Sequence, residues 1–235
     1  MNIYGHPPEI VGLFDPEFEE YMHYMYLPIR MPEGDGVWDV RVPRRLGFAS
    51  EMITQAITIE QQRNNQWDYV YLTARRGWAT PGNPLNRPGW HSDAFAKPDI
   101  NYVWTDRYPT IFAEGPFEQI SDDHIRSTQQ FEEQINGNND IRQLTYGDRV
   151  LMRLDSTVIH TAPEIPAPGG NRSFIKVSFS NERWNLAGNS HNYLFDYEWQ
   201  MFDRALIRND PTRANADTAS MESTGSVAQK ERLTH

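Results

Sequence analysis

Residues 156–180, STVIHTAPEIPAPGGNRSFIKVSFS, contain two segments typical of β-strands on either side of a turn rich in proline and glycine. The first segment ends at His160 and the second begins near Asn171, so the second is predicted to return beside the first. Alternate side chains of a strand point to opposite faces. One face of the second segment therefore carries Ser173, Ile175, Val177 and Phe179, and the other carries Arg172, Phe174, Lys176 and Ser178.

Short segments of the same kind recur through the middle of the chain, separated by Gly, Pro, Asn and Asp. They span residues 68–74, 100–105, 109–114, 148–154, 156–161 and 171–180, and a further alternating segment spans residues 37–42. Many short strands with turns between them indicate an antiparallel sandwich or barrel. A long irregular connection is predicted over residues 77–90, where glycine and proline cluster.

Four helices are predicted around these strands. The first spans residues 15–27, where Asp15 is a suitable N-cap, apolar residues recur at helical spacing and Pro28 ends the pattern. The others span residues 49–63, residues 121–136, with a cap expected at Ser121, and residues 193–207.

The composition favours a folded protein and excludes several classes. Of 235 residues, 38% are hydrophobic and 23% are charged, which is enough apolar content for a packed core. The net charge of −10 counts against a protein that holds a nucleic-acid backbone by bulk electrostatics. Cysteine is absent, so disulfides, zinc fingers, iron–sulfur clusters and cysteine nucleophiles are excluded, and any metal must be held by His, Asp or Glu. No apolar run reaches the ~18 residues of a membrane span and the start of the chain lacks a secretion signal, so a cytoplasmic protein is expected.

The predicted elements form one domain over residues 1–208. It consists of a support of helices and a strand over 1–66, a β core over 67–180 and a C-terminal helix over 192–208. Residues 209–235 are expected to form a disordered tail, because from residue 212 onward they lack aromatic residues and are rich in Ala, Ser and Thr.

The sequence Gly89-Trp90-His91-Ser92-Asp93 could supply metal ligands. On a strand, residues two apart share a face, so His91 and Asp93 can point at one centre. His160 lies 69 positions further along the chain and could complete the set. Two histidines and one carboxylate on one side of a metal form the facial triad used for non-haem Fe(II) oxygen chemistry. Arg172, on a strand just beyond His160, would need an anionic partner if buried, and a small dicarboxylate could pair with it bidentately.

Together, His91-Ser92-Asp93, His160 and Arg172 resemble the signature of the Fe(II)/2-oxoglutarate-dependent dioxygenases. The resemblance covers about residues 67–180 and implies a mainly β fold with a double-stranded β-helix (jelly-roll) core and flanking helices. It implies that His91, Asp93 and His160 bind Fe(II), and that 2-oxoglutarate and O₂ are used to hydroxylate or otherwise oxidise a C–H bond of a small molecule. The products of the cosubstrate would be succinate and CO₂. A halogenating variant of the family lacks the carboxylate ligand, so the presence of Asp93 favours oxidation.

The last strand carries two basic residues, and the sequence does not decide which of them binds 2-oxoglutarate. Arg172 is implied to bind the distal carboxylate of 2-oxoglutarate. Many members place Ser or Thr two residues later, where this chain has Phe174, and Lys176 resembles a second basic residue seen in other members. Either Arg172 or Lys176 could therefore bind 2-oxoglutarate, while the other meets an anionic substrate.

Two other functions fit the same residues. One is a cupin-like metalloenzyme with the same ligands and no use of 2-oxoglutarate, which gives Arg172 no required dicarboxylate. The other is a jelly-roll binding module without catalysis. Iron-dependent release of succinate distinguishes the three.

Overall fold

A computed structural model describes residues 4–32, 39–93 and 97–204 of the chain. The strands are β1 (Glu9–Leu13), β2 (Met22–Arg30), β3 (Tyr69–Ala79), β4 (Ile100–Thr105), β5 (Ile111–Glu114), β6 (Arg142–Leu144), β7 (Val150–Leu154), β8 (Ile159–Thr161) and β9 (Gly170–Ser180). The helices are α1 (Ser50–Gln62), preceded by a 3₁₀ turn over Arg44–Ala49, and α2 (His124–Gly137). In the described part of the chain, no helix is long and apolar enough to cross a membrane.

The strands form two antiparallel sheets. The large sheet has the order β1-β7-β4-β9-β3-β2 and the small sheet has the order β6-β5-β8, extended by a one-residue bridge between His91 and His160. From β3 onward the chain alternates between the sheets. β3, β4, β7 and β9 belong to the large sheet, and the bridge at His91, the pair β5 and β6, and β8 lie between them in sequence and belong to the small sheet. This interleaving of strands between the six-stranded and the three-stranded sheet is the jelly-roll arrangement, so the predicted fold class is confirmed.

The faces of β9 divide the interior as its alternation predicts. Ile175, Val177 and Phe179 pack with Met52 and Ile53 of α1 on the outside of the large sheet. On the other face, which we call the inner face, Phe174 packs with residues of both sheets, among them Val103, Phe112, Met152, Leu154 and Val158. The inner face of the large sheet therefore looks into the space between the sheets, where polar side chains need partners.

Each helix covers one sheet. The helix predicted over 49–63 is confirmed as α1, and the one predicted over 121–136 is confirmed as α2. The N-cap of α2 is Asp123, whose side chain accepts a hydrogen bond from the backbone N–H of Arg126 at 2.8 Å, and not Ser121. Its buried Phe131 and Ile135 pack against Trp90 and Ile159 beside the small sheet.

A buried carboxylate links α1 to the large sheet. Glu60 is fully buried, and its carboxylate accepts hydrogen bonds from four side chains. The donors are Arg153 Nε at 2.7 Å, Asn65 Nδ2 at 2.7 Å, Tyr102 OH at 2.8 Å and Trp67 Nε1 at 3.1 Å. This network supplies both the opposite charge and the hydrogen bonds that a buried carboxylate requires.

The helix predicted over residues 15–27 is wrong, because residues 22–30 form strand β2. This strand pairs with β3 at an edge of the large sheet. Its apolar residues also suit a strand, and the ladder with β3 satisfies its backbone groups. Pro28 is tolerated since edge strands can lack one N–H donor. The aromatic Phe18 that seemed to belong to the helical stripe instead stacks on Phe48, with ring centroids 4.0 Å apart.

The C-terminal helix predicted over 193–207, and placed over 192–208 in the domain layout, is also wrong for the described residues. Residues 193–203 are irregular. Their aromatic side chains pack individually, with Trp199 and Phe202 lying near Tyr71 and Trp184. Contacts with the sheet therefore replace the helical ladder that the spacing suggests.

Other predictions differ at single segments. The predicted strand over 37–42 is not formed at residues 39–42, and residues 37 and 38 lie outside the described part, as does the predicted tail over 209–235. The remaining predicted strands are present within a few residues of their expected bounds, while β1 and β6 were not predicted. The irregular connection predicted over 77–90 begins after Ala79, since β3 continues to that residue.

Candidate metal centre

His91 and His160 face each other across the small sheet. The backbone N–H of His91 donates to the carbonyl of His160 at 3.0 Å, and the N–H of His160 donates to the carbonyl of His91 at 2.9 Å. Residues paired in this way present their side chains on one face of the sheet. The two imidazole rings accordingly lie with centroids 4.6 Å apart.

Asp93 brings a carboxylate to the same place. Its Oδ1 lies 3.9 Å from Nε2 of His91 and 3.9 Å from Nε2 of His160. One ligand atom from each of the three residues can be chosen so that all lie within 4.8 Å of one another. The buried Ser92 holds this segment, since its Oγ donates to the carbonyl of Ser156 at 2.7 Å. The structure thus brings together the three residues singled out from the sequence.

The second nitrogen of each imidazole faces a backbone carbonyl. Nδ1 of His91 lies 2.7 Å from the carbonyl oxygen of Gly89, and Nδ1 of His160 lies 3.4 Å from that of Val158. A carbonyl oxygen can only accept, so these contacts favour the proton on Nδ1 and leave the lone pair of Nε2 free. Such outer partners orient the histidines that ligate metals.

Burial and neighbouring charges set the protonation of the three groups. Burial, followed by the charges of His160 and Arg87, lowers the pKa of His91 to about 3. Burial likewise lowers the pKa of His160. For Asp93, burial alone would raise the pKa, but the ammonium of Lys176, followed by the two neighbouring histidines, holds it well below its usual range. At neutral pH the set therefore offers two neutral imidazoles and one carboxylate, the forms that bind metal ions.

Lys176 lies directly against this carboxylate. Its Nζ donates to Asp93 Oδ2 at 3.0 Å and to Tyr26 OH at 3.0 Å, and it lies 4.8 Å from the centroid of the Tyr26 ring. Burial alone would lower the pKa of Lys176, but Asp93 and Tyr26 raise it above its usual value. Asp93 therefore uses one oxygen for the ammonium and turns the other toward the imidazoles.

Arg172 lies two residues before Phe174 on the inner face of β9 and is 1% exposed. Nε donates to the carbonyl of Tyr108 at 3.0 Å, and Nη1 donates to the carbonyl of Pro84 at 3.1 Å and to Oδ1 of Asn86. Nη2 is buried with no hydrogen-bond partner among the described residues. Burial lowers the pKa of Arg172 to about 10, so the guanidinium stays charged at neutral pH.

An open cleft lies beside Tyr26, between β2 and the segment after β9. It holds about 140 Å³ and is lined by Tyr26, Asn189, Ser190, His191, Tyr197, Trp199 and Met201. Ser190 fixes this segment to β2, because its Oγ accepts from the N–H of Met25 at 3.0 Å and its N–H donates to the carbonyl of Met25 at 2.7 Å. Tyr26 is thus both a wall of the cleft and a partner of Lys176.

Tyr26 and Arg75 also face the interior, and neither is among the site residues predicted above. Tyr26 reaches Lys176 from an irregular point of β2, where the register with β3 shifts and its φ is 46°. No sequence signal marks such a shift. Arg75 lies opposite Phe174 in the β3–β9 register and so shares the inner face. Extending the alternation of the strand predicted over 68–74 by one residue would have found it.

The donor set fits a divalent metal ion. Two imidazole nitrogens and one carboxylate oxygen grouped on one side of a centre match the ligands of non-haem Fe(II) oxygenases, which leave the opposite positions open. All three donors are held by strands or by hydrogen-bonded backbone, so the site needs little ordering when a metal binds.

Sequence comparison finds no relatives: no protein-family model matches the chain, and neither does any curated protein. Structural comparison finds chains of similar fold. One is EvdO2 from Micromonospora carbonacea var. aurantiaca, 11% identical, with a TM-score of 0.34, covering 59% of this chain and 66% of its own. Another is a full-length Neurospora crassa protein in complex with alpha-KG, 14% identical, with a TM-score of 0.37, covering 78% of this chain and 64% of its own. A third is the non-heme iron oxygenase OrfP in complex with Fe, 12% identical, with a TM-score of 0.35, covering 67% of this chain and 69% of its own.

The chain spans just under two thirds of the length of the first two of these proteins. At these identities and TM-scores, the similarity does not establish a function. The function is inferred from the side chains of this chain.

Proposed function

We propose that this protein is an Fe(II)- and 2-oxoglutarate-dependent oxygenase that hydroxylates or otherwise oxidises a C–H bond of a small molecule, giving succinate and CO₂ from the cosubstrate. The observation that carries the proposal is the donor set inside the jelly-roll. Nε2 of His91, Nε2 of His160 and Oδ1 of Asp93 converge there, with both imidazoles oriented through Nδ1 by backbone carbonyls. These three residues would hold the iron.

When bound, the iron, O₂ and 2-oxoglutarate supply the oxidising chemistry, in which decarboxylation of the cosubstrate is coupled to oxidation of the substrate. The protein supplies geometry, charge pairing and exclusion of water. His91 and His160 are kept neutral by burial, so no proton has to leave before a metal binds. Lys176 keeps Asp93 ionised and fixes one of its oxygens, which leaves the other for the metal.

Arg172 is the proposed anchor for the distal carboxylate of 2-oxoglutarate. Its guanidinium is buried and charged, and Nη2 has no partner among the described residues, so a donor remains for an incoming carboxylate. Lys176, by contrast, already donates to Asp93 and Tyr26. This difference supports 2-oxoglutarate at Arg172 and a role for Lys176 beside Asp93 and the substrate.

The cleft beside Tyr26 is the proposed place for the substrate. Its volume of about 140 Å³ suits one compact group, since an engineered cavity of ~150 Å³ holds a benzene molecule. Hydrogen bonds link Tyr26, in the wall of this cleft, through Lys176 to Asp93. A small molecule is therefore favoured over a polymer.

Replacing Arg172 should weaken the binding of 2-oxoglutarate. Hydrogen bonds to charged groups contribute about 1.5–3 kcal/mol, so Arg172→Ala should raise the dissociation constant of 2-oxoglutarate by roughly tenfold to over a hundredfold. Arg172→Lys should recover part of the affinity, because the charge returns without the two-pronged geometry. Calorimetric titration measures both. Metal affinity should be nearly unchanged, and an unaltered dissociation constant in both variants would refute the assignment of Arg172.

Replacing Lys176 tests the other basic residue of the strand. Lys176→Met removes the charge against Asp93 and should disturb binding of substrate more than binding of 2-oxoglutarate, because Nζ contacts Tyr26 at the wall of the cleft. The same titration provides the measurement. If Lys176→Met shows a larger 2-oxoglutarate defect than Arg172→Ala, the two roles are exchanged.

The reaction itself is tested by succinate release. Purified protein with Fe(II), ascorbate and 2-oxoglutarate should form succinate, and the rate of formation should rise when a small molecule that is a substrate is added. Iron-dependent oxidation without succinate would indicate a cupin-like enzyme instead. Absence of turnover, together with 2-oxoglutarate binding that metal does not tighten, would indicate a binding module.

A further inference from the structure

We propose that Arg75 is a second guanidinium of the carboxylate pocket, so that Arg75 and Arg172 together bind the distal carboxylate of 2-oxoglutarate and select for a dicarboxylate. The proposal rests on the proposed function, because it extends the 2-oxoglutarate site.

Strand register places Arg75 beside Arg172. In the β3–β9 ladder, Gly77 lies opposite Arg172 and Arg75 lies opposite Phe174. Arg75 and Arg172 are therefore diagonal neighbours on the inner face, a relation that long side chains can span. Gly77 has no side chain, and the side chain of Leu85 from the neighbouring loop packs against this position.

Both guanidiniums turn to the same short stretch of that loop. Nη1 of Arg75 donates to the carbonyl of Leu85, and Nη1 of Arg172 donates to the carbonyl of Pro84 at 3.1 Å and to the side chain of Asn86. Hydrogen bonds to consecutive carbonyls hold the two cationic groups close together. Leu85 has a φ of 69°, a conformation that is costly for a bulky residue and is typical of segments held by ligands or partners.

Charge on the inner face is unbalanced. Arg75, Arg172 and Lys176 share this face, and no carboxylate of the described residues lies within ion-pair distance of either arginine. The charge of Asp106, which is paired with Arg76, acts on Arg172 from further away. Asp93 is paired with Lys176. Carbonyl oxygens carry only partial charge, so they compensate two neighbouring guanidiniums incompletely. A carboxylate placed between Arg75 and Arg172 would supply the missing charge, and Nη2 of Arg172 is a buried donor still without a partner in the described part of the chain.

The test compares binding of two related acids to the full-length protein by isothermal titration calorimetry, once without added metal and once with Ni(II). One acid is 2-oxoglutarate and the other is 2-oxovalerate, which has the same 2-oxo acid head and a methyl group in place of the distal carboxylate. The variants are Arg75→Gln, Arg75→Lys and Arg172→Gln. The matched control is Arg45→Gln, which removes the same charge from an exposed arginine paired with Glu20.

Arg75→Gln should raise the dissociation constant of 2-oxoglutarate by roughly tenfold or more, the range expected for a charge-assisted hydrogen bond. The dissociation constant of 2-oxovalerate should stay unchanged. Arg75→Lys should recover part of the loss, and Arg45→Gln should bind both acids as the wild type does. Far-UV circular dichroism and thermal midpoints establish that each variant is folded, and Arg75→Lys answers the question if Arg75→Gln does not fold.

Two outcomes would overturn the proposal and leave the proposed function standing. In the first, the Arg75 variants bind both acids with wild-type affinity, while Arg172→Gln loses affinity for 2-oxoglutarate. The other is an equal loss for both acids in the Arg75 variants, which would mean that Arg75 only supports the fold. If Arg172→Gln also binds 2-oxoglutarate normally, the 2-oxoglutarate assignment itself fails.

Discussion

Replacement of His160 by alanine is expected to abolish iron-dependent turnover and to lower metal affinity by more than about a hundredfold. Loss of an outer partner of a metal ligand already costs roughly 10–100-fold, and His160 is one of only three proposed direct ligands. His91→Ala should have the same effect. Metal content after purification and succinate formation measure the two losses separately.

The fold should survive the His160→Ala change. The bridge between His160 and His91 consists of backbone hydrogen bonds, which alanine retains. His6→Ala is the matched control, since His6 is exposed and lies outside the site. For the third ligand, Asp93→Asn is preferable to Asp93→Ala, because alanine would leave the buried Lys176 with Tyr26 as its only hydrogen-bond acceptor among the described residues. Full turnover by His160→Ala, or metal loss by His6→Ala, would contradict the proposed centre.

Glu60→Gln is expected to lower the free energy of unfolding by about 3–5 kcal/mol, the cost of breaking a buried ion pair by removing one partner. Glutamine keeps the shape but leaves Arg153, whose side chain is only 10% exposed, without its opposite charge. Denaturant titration measures the loss. The control is Glu51→Gln on the exposed side of the same helix, which should change stability little.

The same carboxylate predicts a dependence of stability on pH. Burial alone would raise the pKa of Glu60, but hydrogen bonds from Arg153, Asn65 and Tyr102 outweigh it and hold the pKa below its ordinary value of 4.5. A lowered pKa in the folded state means that the ionised group stabilises the fold above about pH 4.5 and that this contribution is lost as the pH falls through the folded pKa. The stability difference between wild type and Glu60→Gln should therefore shrink in acid. A difference that stays constant down to about pH 3 would show that the charge of Glu60 does not act in this way.

The local pattern of the sequence predicted the strands that build the jelly-roll. In β9, one face is uniformly apolar from Ile175 onward and packs on α1, so burial and strand period agree. The pattern failed for residues 22–30, whose apolar spacing suits both a helix and a strand. Pairing with β3 decided between them, and that pairing involves residues about forty or more positions away. It failed again for residues 193–203, where aromatic side chains pack individually on the sheet.

At the candidate site, the metal donors were predictable from residue types and spacing. His91-Ser92-Asp93 and His160 could be selected because metal ligands are limited to a few residue types, and Arg172 because a buried cation needs an anion. The hydrogen-bond and ion-pair partners of these groups follow only from the folded arrangement of the strands. It placed Lys176 on Asp93, left Nη2 of Arg172 without a partner among the described residues, and brought Tyr26 and Arg75 to the same interior. These relations depend on strand register and on a shift within β2, and register is fixed by packing between distant segments rather than by local composition.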